Sequence, residues 1–425
     1  MKTVGILTVV IVVLLSVFEF FPQNALCEDS LNRQQQSYSY LFVEGEILAR
    51  EISKAVGISI SPLLGMSVLG CYNYIKTPIA DRNQLVWYNS PVFWGPLFAI
   101  LIIIILKDSL KIVLPIPKPL LAPLDAFDAV QNKLSMLIAL PIVVSLISGV
   151  EPRNIIALLQ ESGASLISTA YAGEGIGEIA LSNPLAIVKI VLLAIFISLC
   201  CCLVWLVSHT INVLILLCPF STIDFLLKMF RTSVIVVLIG ASLINPYLGL
   251  SVALIIIVFA YFLAGRAFRF MVFGSLFSFD ILLRRSNKYN PDASEIGAFA
   301  GKNLPRVPSM SYGTLKRDDK SILKFTYRPW LIFPSRTIHT EEQDGSYQVG
   351  KGTLSPIVLK AKKNKNSYLT YFRLRPKYKT NEMSVAKNLG ITSIRDVSIG
   401  KGIKEGWKWL LEQLNLKNKT SVVVE

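Results

Sequence analysis

Long runs without charge dominate the middle of the chain. The segment Arg231–Arg266 has no ionised side chain between its ends over 34 residues, and Lys189–Lys228 encloses only Asp224. About 20 apolar residues suffice for a helix to cross the roughly 30 Å hydrocarbon layer, because a helix rises about 1.5 Å per residue. The longer run is therefore predicted to break at Asn245-Pro246, since proline removes a backbone donor and clashes with the preceding turn.

The same pattern predicts an α-helical multi-pass membrane domain over residues 28–264. The predicted spans are Asn83–Leu106, Leu134–Val150, Leu185–Ser208, Thr232–Ile244 and Leu248–Ala264. Ala55–Tyr74 is also apolar, but its glycine, serine and proline residues make it a poor straight spanning helix.

Residues 1–27 have the pattern of a secretory signal. Lys2 precedes an apolar stretch, Val4–Phe18, and Ala25-Leu26-Cys27 has small side chains at the spacing that signal peptidase prefers. An uncleaved N-terminal anchor fits the same pattern, so both alternatives stay open. The polar segment Asp29–Arg50 is predicted to lie outside the membrane.

The periodicity changes after residue 264. Gly265–Leu283 alternates aromatic and basic residues, which is typical of a helix at a membrane interface, and 292–320 is predicted to be a linker. Residues 321–416 predict a small, mostly β domain with one final helix, Ile403–Leu416, before a tail at 417–425. The predicted strands are Ile322–Tyr327, Trp330–Phe333, Tyr347–Val349, Ile357–Lys360, Tyr368–Arg375 and Ile391–Ile399. Strands followed by one capping helix resemble a pleckstrin-homology-like domain.

Composition and charge narrow the class of protein. The 425 residues are 52% hydrophobic and 17% charged, with a mean hydropathy of +0.53, whereas about a quarter of residues are charged in soluble proteins. The net charge of +15 resides in residues 284–425, which carry 27 basic and 12 acidic side chains. Two histidines and six cysteines without a CxxC pair do not readily form a structural zinc site, so no cofactor is expected.

Two segments, 55–150 and 155–247, share an order of features that predicts a tandem repeat. With Asp125 aligned to Asp224, each copy has a span, a short apolar segment ending near proline, an aspartate that opens a helix, and a second span. Parallel repeats of this kind occur in some transporters.

The positive-inside rule orients the predicted spans. Basic residues cluster at Lys107–Lys133, at Lys228–Arg231 and from Arg266 onward, whereas the loop 151–183 is acidic. These clusters agree on five crossings of the cell (inner) membrane, with the N-terminus outside and the C-terminal domain in the cytoplasm. That arrangement requires Ala55–Tyr74 to be re-entrant or interfacial.

Short motifs between Gly57 and Ser148 resemble an uncharacterised family of bacterial multi-pass membrane proteins. In that family a Gly/Ser-rich apolar opening precedes a span, an acidic-basic-proline element and two aspartates. The matching residues are Gly57-Ile58-Ser59, Lys107-Asp108-Ser109, Pro115 and Asp125-Ala126-Phe127-Asp128, and Asn245-Pro246 is similar too. The chain departs from the family at Lys107, where an acidic residue is expected. The resemblance implies a membrane location and no particular activity.

Ionisable groups at membrane depth are costly and are therefore candidates for function. The transport candidates are Asp108, Asp125, Asp128 and Asp224, with Lys189, His209 and Lys228 as partners. Asp125 and Asp128, at the start of a predicted helix, also fit a purely structural role in which they stabilise the positive end of the helix dipole. The candidates for binding anionic lipid are Arg284, Arg285, Lys360, Lys362, Lys363, Lys365, Arg373 and Arg375, and a solvated basic face is the alternative interpretation.

Three functions follow from these candidates. The preferred one is a non-enzymatic membrane protein whose basic cytoplasmic domain docks to anionic lipid or to a protein partner. The alternative is a small-solute or lipid transporter built on the repeat. An intramembrane enzyme is disfavoured, because no nucleophile–base pair or metal-ligand set accompanies the aspartates. Nucleic acid is not an expected partner, and the sequence does not indicate the oligomeric state.

Overall fold

The chain folds into a helical part followed by a β-sheet domain. The structure is a computed structural model, and it describes residues 31–113, 118–148, 184–218, 221–282, 295–318, 322–340, 347–352, 355–361, 367–397 and 422–423. The predicted signal or anchor at 1–27, the acidic loop 151–183 and the predicted final helix Ile403–Leu416 lie outside the described residues.

Seven helices make up the helical part within the described residues. They are α1 (Leu31–Ile60), α2 (Pro62–Lys76), α3 (Pro91–Val113), α4 (Lys118–Ser148), α5 (Pro184–Leu217), α6 (Ser221–Ile244) and α7 (Pro246–Leu282). The five from α3 to α7 are long and apolar enough to cross a membrane. The break between α6 and α7 falls at Asn245-Pro246 as predicted, and the Asn245 side chain accepts a hydrogen bond from the Tyr247 N–H (2.8 Å) at the start of α7.

The outer surface of these long helices is apolar. Large hydrophobic side chains are exposed along them, among them Ile103, Leu192, Leu199, Val236, Phe259 and Phe262. A bundle in water would present charged and polar residues at such positions. The apolar exterior therefore suits a hydrocarbon environment.

A bend at Ser61 folds α1 and α2 into a hairpin at the centre of the helical part. Gly65 lies so close to α1 that an added Cβ would come within 2.6 Å of the Ile58 Cα. The hairpin tip lies beside the end of α3, where Ser61 and Asp108 line one cavity. The far end of α2 returns to the beginning of α3, where Asn73 donates to Asn89 (3.0 Å). Residues 55–74 are therefore divided between two helices that meet at Ser61, and the re-entrant alternative stays a prediction.

One continuous helix joins the helical part to the sheet domain. The structure therefore differs from the separate interfacial helix predicted at 265–283, since α7 runs unbroken from Pro246 to Leu282. Gly265 costs the helix only about 1 kcal/mol, and no proline interrupts it. In the C-terminal half of α7, Phe273 and Phe277 pack against Phe299 of the sheet domain, whereas Phe270 packs against Val213 and Leu214 of α5.

The strands form one mostly antiparallel sheet. They are β1 (Ile296–Ala300), β2 (Tyr312–Arg317), β3 (Leu323–Tyr327), β4 (Arg336–His339), β5 (Tyr347–Lys351), β6 (Ile357–Ala361), β7 (Ser367–Leu374), β8 (Ile394–Asp396) and β9 (Val422–Val423). Their order is β4-β3-β2-β1-β7-β6-β5-β8, with β9 paired to the start of β7 and a parallel pair only at β5–β8 among the described strands. A short helix, α8 (Glu382–Leu389), packs Val385 and Leu389 into the domain core.

Five features of this domain differ from the prediction. The strand β4 was not predicted, and β9 lies in the predicted tail 417–425. The predicted linker 292–320 contains β1 and β2, because burial between neighbouring strands compensates for the small, weakly β-forming residues of β1. The predicted strand Trp330–Phe333 is a tight turn in which Trp330 and Leu331 have φ of 55° and 59°. Helix α8 was not predicted, since its eight residues are too few for a clear helical period.

A buried ion pair fixes the sheet domain to the end of α7. Arg375 donates two hydrogen bonds to the Asp280 carboxylate, Nε to Oδ2 at 2.8 Å and Nη2 to Oδ1 at 2.6 Å. Burial alone would lower the pKa of Arg375, but the hydrogen bonds and charge of Asp280 raise it above its ordinary value. Phe273 and Phe299 meet edge to face beside this pair, with 4.8 Å between ring centroids. The domain is therefore held in a set position against α7.

Candidate functional site

Charged and amide side chains from four helices meet around the tip of the α1–α2 hairpin. We call this group the polar cluster, and its members are Lys107, Asp108, Asp128, Gln131, Asn132, Asn212, Lys228 and Arg231. All of them except Lys107 line a cavity of about 60 Å³, which Ser61 borders from the hairpin. That volume holds water or a small ion, since one water occupies about 30 Å³ of liquid.

Ion pairs tie the helices together at the polar cluster. Lys107 pairs with Asp128, which joins α3 to α4, and Lys228 pairs with Asp108 (2.5 Å), which joins α6 to α3. Arg231 donates to the Asn212 side-chain oxygen (2.6 Å) and links α6 to α5. The formal charges of these pairs nearly balance, as expected for ionised groups away from bulk water.

A buried histidine extends the polar cluster into the helical part. His209 is fully buried, its Nδ1 lies 3.0 Å from the Asn132 amide nitrogen, and the Trp205 indole stacks on its ring at 5.3 Å. Within the described residues its Nε2 has no hydrogen-bond partner. The adjacent Thr210 donates to the Ala267 carbonyl of α7 (3.1 Å), and Lys133, next to Asn132, donates to Ser275 of α7 (3.2 Å). The cluster therefore lies beside the stretch of α7 from Arg266 to Ser275.

The structure brings two of the four predicted transport candidates together. Asp108 and Asp128 belong to the polar cluster, whereas Asp224 is buried on α6 away from the cavity lining. The side chains of Asp125 and Lys189 lie outside the described residues. Of the predicted partners, Lys228 pairs with Asp108, and His209 contacts the cluster through Asn132.

A second, larger cavity lies where α7 meets the sheet domain. Its volume is about 250 Å³, and one wall is the stretch of α7 around Phe268. We call it the arginine pocket, because its lining contains Arg269, Arg306, Arg328 and Arg336. No acidic side chain is among the lining residues, and within the described part of the chain none of these arginines forms an ion pair.

An exposed apolar turn borders the arginine pocket. This turn, Pro329–Phe333, connects β3 to β4, and its Trp330 stacks on Phe268 of α7 at 4.8 Å between centroids. Leu331, Ile332 and Phe333 are 45%, 86% and 56% exposed. Consecutive large hydrophobic side chains rarely remain exposed on a soluble surface unless something covers them.

The structure describes three of the predicted lipid-binding residues, and one of these three is buried. Lys360 lies over the rings of Tyr347 and Tyr371, at 5.8 and 5.2 Å from their centroids, and Arg373 is half-buried on β7. Arg375 is committed to Asp280 inside the protein, so it has no exposed charge to offer a headgroup. The remaining candidates lie outside the described residues: Arg284, Arg285, Lys362, Lys363 and Lys365.

Sequence reasoning missed the arginine pocket. Its arginines are up to 67 positions apart, and each is a single basic residue without a basic neighbour in sequence except Arg269, which follows Arg266. The available signal was Arg328-Pro329-Trp330, an arginine, a turn former and an interfacial aromatic residue in succession.

Among the described residues no group of three or more His, Cys, Asp or Glu side chains could hold a metal ion. Comparison of the chain with models of protein families, with curated proteins and with solved structures finds no significant match. The function must therefore be argued from the geometry of the two sites.

Proposed function

We propose that the chain is a non-enzymatic integral membrane protein whose C-terminal domain docks to the anionic surface of the cytoplasmic leaflet. The observation that carries this proposal is the apolar turn, Pro329–Phe333, which stays exposed beside a group of arginines and is fixed to α7. The membrane, its sidedness and the lipid are parts of the proposal.

The dimensions of α7 support a membrane boundary at this turn. From Pro246 to Arg266 the helix rises about 30 Å, which matches the hydrocarbon thickness. Its exposed Phe259 and Phe262 then face lipid, and Arg266 emerges at the headgroups. Phe268 is less than one turn further on and carries Trp330, so the apolar turn lies at interfacial depth.

The polar cluster agrees with the same boundary. It lies beside the stretch of α7 from Arg266 to Ser275 and contains basic residues from α3 and α6, so the basic ends of these helices point to the side on which the sheet domain lies. Positive charge concentrates on the cytoplasmic side of membrane proteins. In the proposed orientation the α1–α2 hairpin enters from the outside and returns there.

Spin labels can measure the depth of the apolar turn. In the full chain, with native cysteines replaced and reconstituted in vesicles of three parts phosphatidylcholine to one part phosphatidylglycerol, we expect a label at Ile332→Cys to be accessible to oxygen and shielded from a water-soluble nickel complex. The matched control is Thr337→Cys, an exposed position on β4 of the same domain, which should show the opposite accessibilities.

Equal nickel accessibility at both labels would overturn the docking proposal. A label at position 332 that is shielded from both oxygen and nickel would show a protein partner or a second copy covering the turn instead of lipid. Loss of shielding in pure phosphatidylcholine vesicles would show that the anionic headgroup is required.

The polar cluster favours a second candidate, a transporter of small solutes or lipid. Its cavity sits at a hairpin tip between the two predicted repeats and contains Asp108 and Asp128. Transport sites usually lie near the bilayer midplane, whereas this cluster lies at one end of the helical part, so docking is preferred. If the protein transports, Asp108→Asn with Asp128→Asn should abolish solute flux in proteoliposomes while Asp81→Asn, an exposed control, leaves it unchanged. Flux that survives the double substitution would exclude this candidate.

A further inference from the structure

The arginine pocket is a more specific feature than a basic surface. Its four guanidinium groups come from three separate segments: α7, the loop between β1 and β2, and the hairpin β3–β4. Four positive side chains around one cavity without a carboxylate favour an anionic ligand. Arginine forks match phosphate oxygens in bidentate geometry.

The backbone around the pocket is also strained. Arg306, Met310, Trp330 and Leu331 all line it, and all have φ between 55° and 63°. Only one other described non-glycine residue, Thr380, has a positive φ. Backbone strain of this kind concentrates at binding sites. The strained backbone therefore lies in the segments that position the arginines around the pocket.

One arginine is already oriented. Arg269 donates from Nε to the Ser309 carbonyl (3.1 Å), which holds its side chain across the gap between α7 and the sheet domain. Its two terminal nitrogens remain for an anion. Arg306, Arg328 and Arg336 are exposed at the rim, where they can close on a ligand.

We propose that the arginine pocket binds the phosphate of one anionic phospholipid headgroup, with the acyl chains passing the apolar turn and lying along the exposed face of α7. The pocket volume of about 250 Å³ accommodates a phosphate with its glycerol. Phe268 and Trp330 supply the apolar wall that a lipid needs and that a free phosphate does not. That the bound phosphate belongs to a lipid rests on the proposed function, whereas the binding of an anion in the pocket does not.

Native mass spectrometry of the full chain tests this inference. In detergent, with phosphatidylglycerol added, we expect one retained lipid, and Arg306→Gln with Arg336→Gln should weaken its binding about tenfold or more. The matched control removes the same charge from one face of β2 and β3, by Lys316→Gln with Lys324→Gln, and should retain the lipid. Arg306→Lys with Arg336→Lys keeps the charge but loses the fork, so we expect it to weaken binding as well.

Three outcomes of the mass-spectrometry experiment would contradict the proposed lipid site. If the Lys316/Lys324 variant loses the bound lipid as readily as the arginine variant does, or if the arginine variant retains it, the pocket is not a specific lipid-binding site. Displacement of the lipid by millimolar inorganic phosphate would reassign the pocket to a free anion. Since Arg306 and Arg336 are exposed and unpaired within the described residues, folding should survive, and Arg328→Gln with Arg336→Gln is an independent second variant. The label at Ile332→Cys in the chain with all four arginines reports docking without reference to the retained lipid, so failure here is distinguishable from failure of docking.

Discussion

Arg375 shows at the residue scale why a basic position in a sequence need not face a charged membrane. Its partner Asp280 is 95 residues earlier, at the end of an apolar helix, and the pair forms only when the sheet domain packs on α7. Sequence spacing contains no sign of that contact. By contrast, Asp108 and Asp128 could be singled out from sequence alone, because charge inside an apolar pattern is rare whatever the fold.

Removing one member of this pair should destabilise the junction. Asp280→Asn leaves the buried guanidinium without a counter-charge, and we expect a loss of about 3–5 kcal/mol in the free energy of unfolding. Thermal unfolding of the purified full chain measures it, with Asp81→Asn as a control carboxylate in an exposed turn. Equal melting temperatures for the two variants would show that the pair does not hold the domain.

At the element scale, Gly65 sets how closely α1 and α2 approach. An added Cβ would lie 2.6 Å from the Ile58 Cα, so Gly65→Ala must push the two helices apart, at an expected cost of about 1–3 kcal/mol. Gly57→Ala is the matched control, because its Cβ would meet only Leu238 at 3.7 Å, an ordinary contact, and alanine favours a helix over glycine by about 1 kcal/mol.

Melting temperatures of the two alanine variants distinguish the explanations. A lower value for Gly65→Ala with an unchanged or higher value for Gly57→Ala supports the close approach in the hairpin. Equal shifts would mean that the α1–α2 contact is looser than described.

Helices and strands could be predicted from sequence where a local property of the residues determines them. The five long apolar helices and the break at Asn245-Pro246 follow from hydrophobicity and proline alone. The strand β1 was missed because its burial depends on β2 and β7 on either side. Trp330–Phe333 was assigned as a strand from its residue types, yet stacking on Phe268 holds it in a turn.

At the scale of the whole molecule, the proposed topology places the α2–α3 turn and the sheet domain on opposite sides of the membrane. We expect Asp81→Cys to react with a membrane-impermeant maleimide in intact cells, and Lys302→Cys, an exposed position before β2, to react only after permeabilisation. The native cysteines are replaced in both variants. Reaction at both positions, or the reverse pattern, would overturn the orientation and with it docking in the cytoplasm.

The two candidate sites differed in how far the sequence could predict them. Of the predicted aspartates whose side chains the structure describes, Asp108 and Asp128 belong to the polar cluster and Asp224 does not. The arginine pocket needs three segments to assemble around Phe268, and its chemistry exists only after folding. The tandem repeat, the family resemblance and the pleckstrin-homology-like order stay predictions.

The unbroken course of α7 has a mechanical consequence. From Pro246 to Leu282 it is a rod about 54 Å long, and its far end is fastened to the sheet domain by Asp280. Transmembrane helices change tilt when bilayer thickness changes. In the proposed membrane placement, a tilt of about 10° about Pro246 would swing the far end by roughly 9 Å, so α7 would convert a change in bilayer thickness into a displacement at the bilayer surface.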